Sequence, residues 1–166
     1  MTNSIEYEKT ITLNGSLFHF QQETISAGEY IDFLKRTDLG KQYPEEDFAA
    51  RIETLVRNIQ ISLVVRNASR QIIGVCFGLT DFAYWLLLTD LGVDKNYERH
   101  GIGRILVETA HELAGGEKRI VLCAYVNDNA IPFYRKLGMK ESKDVMEKAD
   151  IDWTPFEVGD DNELVS

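Results

Sequence analysis

Residues 97–106, YERHGIGRIL, place two glycines one residue apart between an apolar run and the start of a helical pattern. The first backbone N–H groups of a helix lack intrahelical acceptors, and glycines let an anion approach the main chain closely. The basic side chains around the glycines are Lys95, Arg99, His100 and Arg104. In a chain with a formal net charge of -9, this local basic cluster predicts a phosphate-binding turn.

Other interpretations of the two glycines compete with this one. A dinucleotide-binding fold needs a third glycine in GxGxxG after an early strand, but Leu106 stands at that position. The P-loop pattern GxxxxGK[ST] does not occur. A tight strand-to-helix turn that binds no ligand stays open on the glycines alone.

The length of 166 residues and the 44% hydrophobic content predict one domain with a substantial core. We place this domain at residues 1–148 and an acidic tail at residues 149–166. The acidic tail residues are Asp150, Asp152, Glu157, Asp160, Asp161 and Glu163. Trp153 and Phe156 are the tail side chains that could dock on the domain.

The negative net charge limits the classes of partner that the chain is expected to bind. An acidic chain is a poor match for nucleic acid, because phosphate contacts need clustered Lys and Arg. A small amine, a polyamine or a basic peptide fits better as substrate. No segment approaches the roughly 20 apolar residues of a membrane span, so we expect a cytoplasmic protein without a membrane partner.

No metal site is expected either. The three histidines, His19, His100 and His111, share no ligand spacing. Cys76 and Cys123 form no CxxC pair and lie in apolar runs, which indicates reduced core cysteines.

Hydrophobic periodicity predicts an α/β (α+β) fold with the element order β-α-α-β-β-β-α-β-α-β. The predicted strands span residues 16–22, 61–66, 71–79, 84–93, 120–126 and 139–147. The predicted helices span residues 26–40, 44–59, 103–113 and 129–137. The first helix begins with a capping box at Ser26 and Glu29. The apolar content of 84–93 and 120–126 predicts strands that are buried on both faces.

Two motifs in this order resemble the GCN5-related N-acetyltransferase (GNAT) superfamily. Residues 98–103, ERHGIG, resemble its pattern Gln or Arg-x-x-Gly-x-Gly or Ala, with Glu98 where the family has Gln or Arg. Residues 127–139, NDNAIPFYRKLGM, resemble its signature N-x-x-A-x-x-F-Y-x-K-x-G-F. The resemblance covers roughly residues 61–147.

The resemblance implies a central mixed, mostly antiparallel sheet of six to seven strands flanked by four helices. It also implies a bulge in the strand 84–93, a splay between this fourth predicted strand and the fifth, 120–126, and acetyl-CoA as the acetyl-donor cosubstrate. Pantetheine would bond to the main chain of Leu91 and Val93 and to Asn127. Gly92 fits such a bulge or a close backbone approach. The pyrophosphate would bind main-chain groups of Arg99, His100, Gly101, Ile102, Gly103 and Arg104.

The implied reaction is acetyl transfer to a primary amine by direct attack in a ternary complex. Tyr134 matches the family's general acid, and a phenol near pKa 10 facing a thiol near 8.5 is about 2 kcal/mol uphill. The base is open: Asp90 interrupts an apolar strand, where an unpaired carboxylate would be unfavourable, and Asp81 and Glu46 are alternatives. Asp90 could instead make a structural hydrogen bond to the first helices.

Other functions remain open at this stage. The apolar neighbours of Cys123 argue against a covalent route through its thiolate. The chain could also be a non-catalytic acyl-CoA sensor or an interaction domain. Family members often form dimers, so a homodimer is a further expectation.

Overall fold

The computed structural model describes residues 5–159. Within them, one six-stranded sheet has its strands in sequential order. These are β1 (Glu8–Leu13), β2 (Ser16–Gln22), β3 (Ile61–Arg66), β4 (Ile72–Thr80), β5 (Trp85–Val93) and β6 (Val121–Ala124). Neighbours from β1 to β5 are antiparallel, and β6 is parallel to β5. The mixed, mostly antiparallel sheet confirms the predicted fold class.

Four α-helices flank the sheet, as predicted. They are α1 (Ala27–Leu34), α2 (Phe48–Asn58), α3 (Ile102–Ala114) and α4 (Ile131–Lys136). The helices α1 and α2 cover one core, around Tyr30, Phe33 and Phe77, and α3 covers the other, around Leu86, Leu88 and Leu106. Short 3-10 turns lie at Asp38–Lys41 and Lys95–Tyr97. The capping box of α1 is present, because Glu29 N–H donates to Ser26 Oγ and Ser26 N–H donates to Glu29.

The strand β1 is a correction to the sequence prediction, which begins the sheet at β2. It forms a hairpin with β2 around Asn14 and Gly15, whose φ values are 50° and 81°. A two-residue Asn-Gly turn matches the right-handed twist of a hairpin, because both positions need positive φ. This dipeptide was the signal for the missed strand.

The predicted last strand, residues 139–147, is wrong in the described part of the chain. These residues pair with no strand, and residues 140–150 are exposed. The segment MKESKDVME alternates poorly and carries mostly charged and polar side chains, so it buries too little apolar surface to offset its ordering. The predicted number of strands holds only because β1 replaces this one.

The strands β5 and β6 are also less buried than predicted. Leu86 and Leu88 are buried, but Trp85 and Thr89 on the other face are exposed, and Val121 of β6 is 53% exposed. Within residues 5–159, β6 pairs on one side only and lies at the edge of the sheet. Apolar content alone therefore overstates burial at a sheet edge.

Residues 154–158 of the predicted acidic tail contact the domain. Val158 is buried and its N–H donates to the Gly40 carbonyl, with an N···O distance of 3.0 Å. The Phe156 ring packs edge-on against Phe48, with ring centroids 5.0 Å apart, whereas Trp153 is half exposed. We call residues 154–158 the C-terminal strap. Residues 160–166 of the tail lie outside the described part.

Candidate active site

The strands β5 and β6 separate at one end of the sheet, as predicted. They pair from Trp85 with Val121 to Leu88 with Ala124, and β5 then continues to Val93 beyond the pairing. A cleft of about 70 Å³ opens where they part. The predicted site residues in its walls are Asp90, Leu91, Asn127 and Tyr134. The cleft therefore brings the proposed acid and the proposed base to one place.

A β-bulge in β5 sets the direction of Asp90. Phe77 of β4 pairs with Asp90 and Gly78 pairs with Leu88, so Thr89 is left as the extra residue. Because of this extra residue, Asp90 lies opposite Phe77 on the side of α1 and α2, while Leu88 stays in the α3 core. The implied bulge is therefore present, at Thr89.

Gly92 is not the bulge residue, and its contacts fit the other role expected of it, a close approach to the backbone. A Cβ at this position would lie 2.5 Å from Leu39 Cδ1 and 3.6 Å from the Phe33 ring. Gly92 thus lets Leu39, in the turn after α1, approach the strand closely. Leu39 lines the cleft, so this close approach helps to shape it.

The two glycines of YERHGIGRIL differ in their contacts. Gly101 has a φ of 80° directly before α3, and a Cβ there would meet no atom within 4 Å. Arg99 is also left-handed, with a φ of 65°. Gly103 lies inside α3, where a Cβ would be 3.3 Å from the Phe133 ring of α4. Gly101 provides the open turn, and Gly103 allows α3 and α4 to pack closely.

This turn suits a bound pyrophosphate. The first N–H groups of α3 have no intrahelical acceptor by position, the positive end of the helix dipole lies there, and the surface above Gly101 is open. The basic side chains are less directly placed. Lys95 pairs with Asp38 at 3.2 Å, and Arg104 pairs with Glu108 at 2.8 Å. The main chain of residues 99–104 is accordingly the better candidate for the contact.

The His100 side chain turns toward the protein. Its Nδ1 lies 3.0 Å from the Glu98 carbonyl oxygen and 3.1 Å from that of Tyr97, so Nδ1–H is the donor. The ring also packs against Phe18, with centroids 6.2 Å apart. These contacts hold the turn in shape and leave the main chain of His100 as its candidate ligand group.

Tyr134 is half-buried on α4, and its ring packs edge-on against Phe133 with centroids 5.0 Å apart. Burial, with a smaller contribution from the Cys76 thiol, raises the pKa of Tyr134 to about 12. The phenol is therefore protonated at neutral pH and is available as a hydrogen-bond donor to a group in the cleft.

Asp90 is 8% exposed and belongs to a buried chain of hydrogen bonds. The Tyr43 hydroxyl donates to Asp90 Oδ1, and the Tyr30 hydroxyl lies 2.9 Å from the Tyr43 hydroxyl. Burial raises the pKa of Asp90, and the hydrogen bond from Tyr43 opposes that shift. Burial and the charge of Asp90 raise the pKa of Tyr43, which keeps it a donor. Asp90 thus has the structural bond that the sequence left open and also faces the cleft.

The two alternative bases are held by other contacts. Asp81 Oδ1 accepts hydrogen bonds from the N–H groups of Ala83, Tyr84 and Trp85, which lower the pKa of Asp81. Glu46 accepts from Thr154 of the C-terminal strap, and this lowers its pKa. The first stabilises the β4–β5 turn and the second anchors the strap.

Asn127 lies in the cleft wall and shapes the start of α4. Its Oδ1 accepts a hydrogen bond from Ala130 N–H at 3.0 Å. The free side-chain amide donors are the groups that could reach a ligand. The strand β5 carries Leu91 and Val93 past the end of β6, so their main chain is the corresponding candidate on the opposite wall.

Among the residues beside the cleft that sequence reasoning missed, Leu39, Gln42 and Tyr43 come from the segment after α1. Leu39 and Gln42 line the cleft, and Tyr43 bonds to Asp90. The segment DLGKQYP indicates a loop through its Gly and Pro, but nothing in it predicts which strand the loop meets. Tyr43 also lines a larger and mainly apolar concavity of about 360 Å³ beside α2.

The cysteines have elevated pKa values. Cys76 is buried, and burial together with the charge of Asp90 raises its pKa. Burial also raises the pKa of Cys123, whose Sγ lies 3.5 Å from the Leu86 carbonyl oxygen. Neither environment favours a thiolate.

Two features are absent from residues 5–159. This part of the chain holds no group of three or more His, Cys, Asp or Glu side chains arranged for a metal ion. Among the helices described, none is both long and apolar enough to cross a membrane.

Comparisons with known proteins agree with this architecture. The family model described as the acetyltransferase (GNAT) family matches residues 29–139. No curated protein matches the chain. Because the family match covers more than half of the 166 residues, the chain belongs to the GNAT acetyltransferase family.

Solved structures share the fold at low sequence identity. A GNAT-family acetyltransferase from Streptococcus pneumoniae has a TM-score of 0.62 and 16% identity, over 81% of this chain and 98% of that one. An aminoglycoside N-acetyltransferase in complex with CoA has a TM-score of 0.60 and 14% identity, over 83% and 97%. Glucosamine-6-phosphate N-acetyltransferase from Arabidopsis thaliana has a TM-score of 0.56 and 14% identity, over 80% and 99%.

Proposed function

We propose that the chain is an acetyl-CoA-dependent N-acetyltransferase that acts on a primary amine by direct attack in a ternary complex. The observation that carries this proposal is the splayed β5–β6 cleft, which holds a protonated Tyr134 and the Asp90 carboxyl group together. Family membership supports acetyl transfer in general. The two side chains supply an acid and a base for the amine reaction.

Acetyl-CoA would supply the acetyl group as a thioester. The residues that would hold it are the main chain of Leu91 and Val93, Asn127, and the main chain of the turn at Arg99, His100, Gly101, Ile102, Gly103 and Arg104. A main-chain N–H of Leu91 or Val93 would also stabilise the charge that develops on the carbonyl oxygen. The open left-handed Gly101 and the N-terminus of α3 support this assignment.

Asp90 would accept the proton that the attacking amine must lose, directly or through a water molecule. Its raised pKa makes it a stronger base than an exposed carboxylate.

Tyr134 is too weak an acid to protonate the departing sulfur completely. With a pKa of about 12 against about 8.5 for a thiol, full proton transfer to the departing sulfur is uphill by about 5 kcal/mol. Tyr134 would therefore donate a hydrogen bond to that sulfur as the carbon–sulfur bond breaks.

The acidic charge of -9 supports a cationic acceptor, which we propose to be a small amine, a polyamine or a basic peptide. We further propose a cytoplasmic protein that binds neither nucleic acid nor membranes and can form a homodimer.

Thermal unfolding measured separately with acetyl-CoA, CoA, NAD and ATP tests which of these compounds binds the chain. A ligand at 100 times its Kd adds about 2.7 kcal/mol of stability. Stabilisation by acetyl-CoA and CoA alone is expected. A chain that neither compound stabilises would contradict the proposal.

A pair of variants matched in size and different in charge locates the phosphate contact. Asp and Asn both tolerate left-handed backbone, so Gly101→Asp and Gly101→Asn impose similar strain. Only Asp repels a pyrophosphate, so CoA affinity should fall about tenfold or more further in Gly101→Asp. Equal affinities would refute binding at this turn.

Release of the CoA thiol in the presence of single amines, such as spermidine, tests turnover. Tyr134→Phe should slow acetyl transfer about 10²-fold or more while retaining CoA affinity. Binding of acetyl-CoA without transfer to any amine would instead indicate the non-catalytic sensor.

A further inference from the structure

We infer that Tyr43 is a positioning residue for Asp90, and that the C-terminal strap fixes Tyr43 in place. The inference rests on the proposed role of Asp90 as the base. It assigns a part in the acetyl transfer to two segments that lie outside both sequence motifs. Tyr43 follows the 3-10 turn, and the strap is residues 154–158.

The Tyr43 hydroxyl is held at both ends. It donates to Asp90 Oδ1 on one side and lies 2.9 Å from the hydroxyl of Tyr30 on the other. Tyr30 is fully buried, and its ring packs edge-on against the Tyr43 ring with centroids 6.4 Å apart. Since the Tyr43 proton is used on Asp90, the Tyr30 hydroxyl donates to the Tyr43 oxygen. The carboxylate is thus connected through Tyr43 to a fully buried residue of the α1 core.

The strap makes hydrogen bonds to the loop that carries Tyr43, both before and after this residue. Before it, the Gly40 carbonyl accepts the Val158 N–H at 3.0 Å. After it, the Glu45 N–H donates to the Thr154 carbonyl at 2.9 Å, and Glu46 accepts the Thr154 N–H at 3.1 Å. The buried Val158 side chain and the Phe156 ring add apolar packing to these bonds.

The titratable and polar groups near Asp90 come from several elements. They are Tyr43 in the loop, Tyr30 on α1, Cys76 on β4, Thr89 on β5 and Tyr134 across the cleft on α4. Tyr43 is the main group that stabilises the charged carboxylate, ahead of Thr89 and Tyr30. Without the Tyr43 hydroxyl, Asp90 stays buried but loses its main hydrogen bond.

The test is the pH titration of the Asp90 carboxyl carbon by NMR in the full-length protein labelled with ¹³C-aspartate, with Asp90→Asn identifying the signal. Tyr43→Phe keeps the ring and should raise the Asp90 midpoint by about one pH unit. Tyr30→Phe is the matched control, because it leaves the Tyr43–Asp90 bond, and it should raise the midpoint less. An unchanged midpoint in Tyr43→Phe would overturn the inference.

The strap is tested by Phe156→Ala, with Ile151→Ala as the control at an exposed neighbouring position. Phe156→Ala should raise the Asp90 midpoint by less than Tyr43→Phe does. The acidic limb of the pH profile of kcat/KM for spermidine should shift to higher pH with this midpoint. CoA affinity should stay within twofold. A midpoint and a pH profile that match those of Ile151→Ala would overturn the part assigned to the strap.

The NMR titration needs no turnover, so the two proposals fail separately. A shifted midpoint in a protein that acetylates no amine supports the positioning by Tyr43 and contradicts the proposed acetyltransferase activity. An unshifted midpoint in an active enzyme removes the positioning and leaves acetyl transfer standing.

Discussion

Replacing Gly92 by alanine should destabilise the protein by forcing Leu39 away from β5. The new Cβ would lie 2.5 Å from Leu39 Cδ1 and 3.0 Å from its Cγ. Carbon atoms that are not bonded sit at about 3.5–4.0 Å, so Leu39 must move by about 1 Å. Leu39 is only 6% exposed and packs with Phe33 in the α1 core, so little free space receives it.

Overpacking of this kind costs about 1–3 kcal/mol. A loss of about 2 kcal/mol in a domain of this size lowers Tm by about 4–8 °C. Urea and thermal unfolding of Gly92→Ala measure the loss. Because Leu39 lines the cleft, CoA affinity should be measured on the same variant.

A double-mutant cycle with Leu39→Ala isolates the clash. Leu39→Ala alone should cost about 2–4 kcal/mol, since it opens a cavity. In the double variant the methyl group introduced at position 92 enters that cavity, so the combined loss should be smaller than the sum by about 1 kcal/mol or more. Gly15→Ala is the control: it has positive φ but no atom within 4 Å, and its loss should add to that of Leu39→Ala. Additive losses for Gly92→Ala and Leu39→Ala would refute the steric explanation.

Three further outcomes are expected. Gly28→Ala in the first turn of α1 should stabilise by about 0.5 kcal/mol in urea unfolding, since its nearest neighbour atom is Ser26 Oγ at 3.9 Å; a loss would contradict the open space there. Arg36→Ala should cost about 3 kcal/mol or more, because it leaves the buried Asp94 without its partner at 2.5 Å, and a loss below 1 kcal/mol would show that water replaces the arginine. Asp90 has a raised pKa in the folded state, so its stabilising contribution is present below the ordinary carboxyl pKa of about 4 and is lost as the pH rises through the raised value. Asp90→Asn should therefore gain stability relative to the parent as the pH rises above about 4, and a difference that stays constant with pH would count against the raised pKa.

Local patterns predicted most of the fold. The capping box at Ser26 and the paired strands on either side of residues 67–70 follow from spacing and apolar content, and both are present. Both errors concern strands at the ends of the predicted sheet. The Asn-Gly turn was a local signal for the hairpin at Asn14, whereas the pairing of segment 139–147 depends on the neighbour it meets and on the apolar surface it can bury there, which is a tertiary property.

The candidate site divides in the same way. Motif spacing placed Gly101 before a helix and Tyr134 on one, and the structure has both there. The loop that carries Tyr43 contacts Asp90 across 47 positions of sequence, and its neighbour the strap is 108 positions from Glu46. Such contacts leave no periodic trace, because each rests on one side chain and on the path of a loop.

The bulge at Thr89 shows how one residue joins fold and chemistry. In a regular strand, Leu86, Leu88 and Asp90 would lie on one face, since side chains alternate with a period of two. Asp90 would then enter the α3 core among apolar side chains such as Leu86, Leu88 and Leu106, where burying a carboxylate is unfavourable. The extra residue turns Asp90 to the opposite face, beneath Tyr43, and returns Leu91 to the α3 side. The position of the proposed base therefore depends on the bulge at Thr89, which the alternation of side chains does not predict. Its hydrogen-bond partner, Tyr43, comes from a loop whose contacts the sequence pattern does not predict.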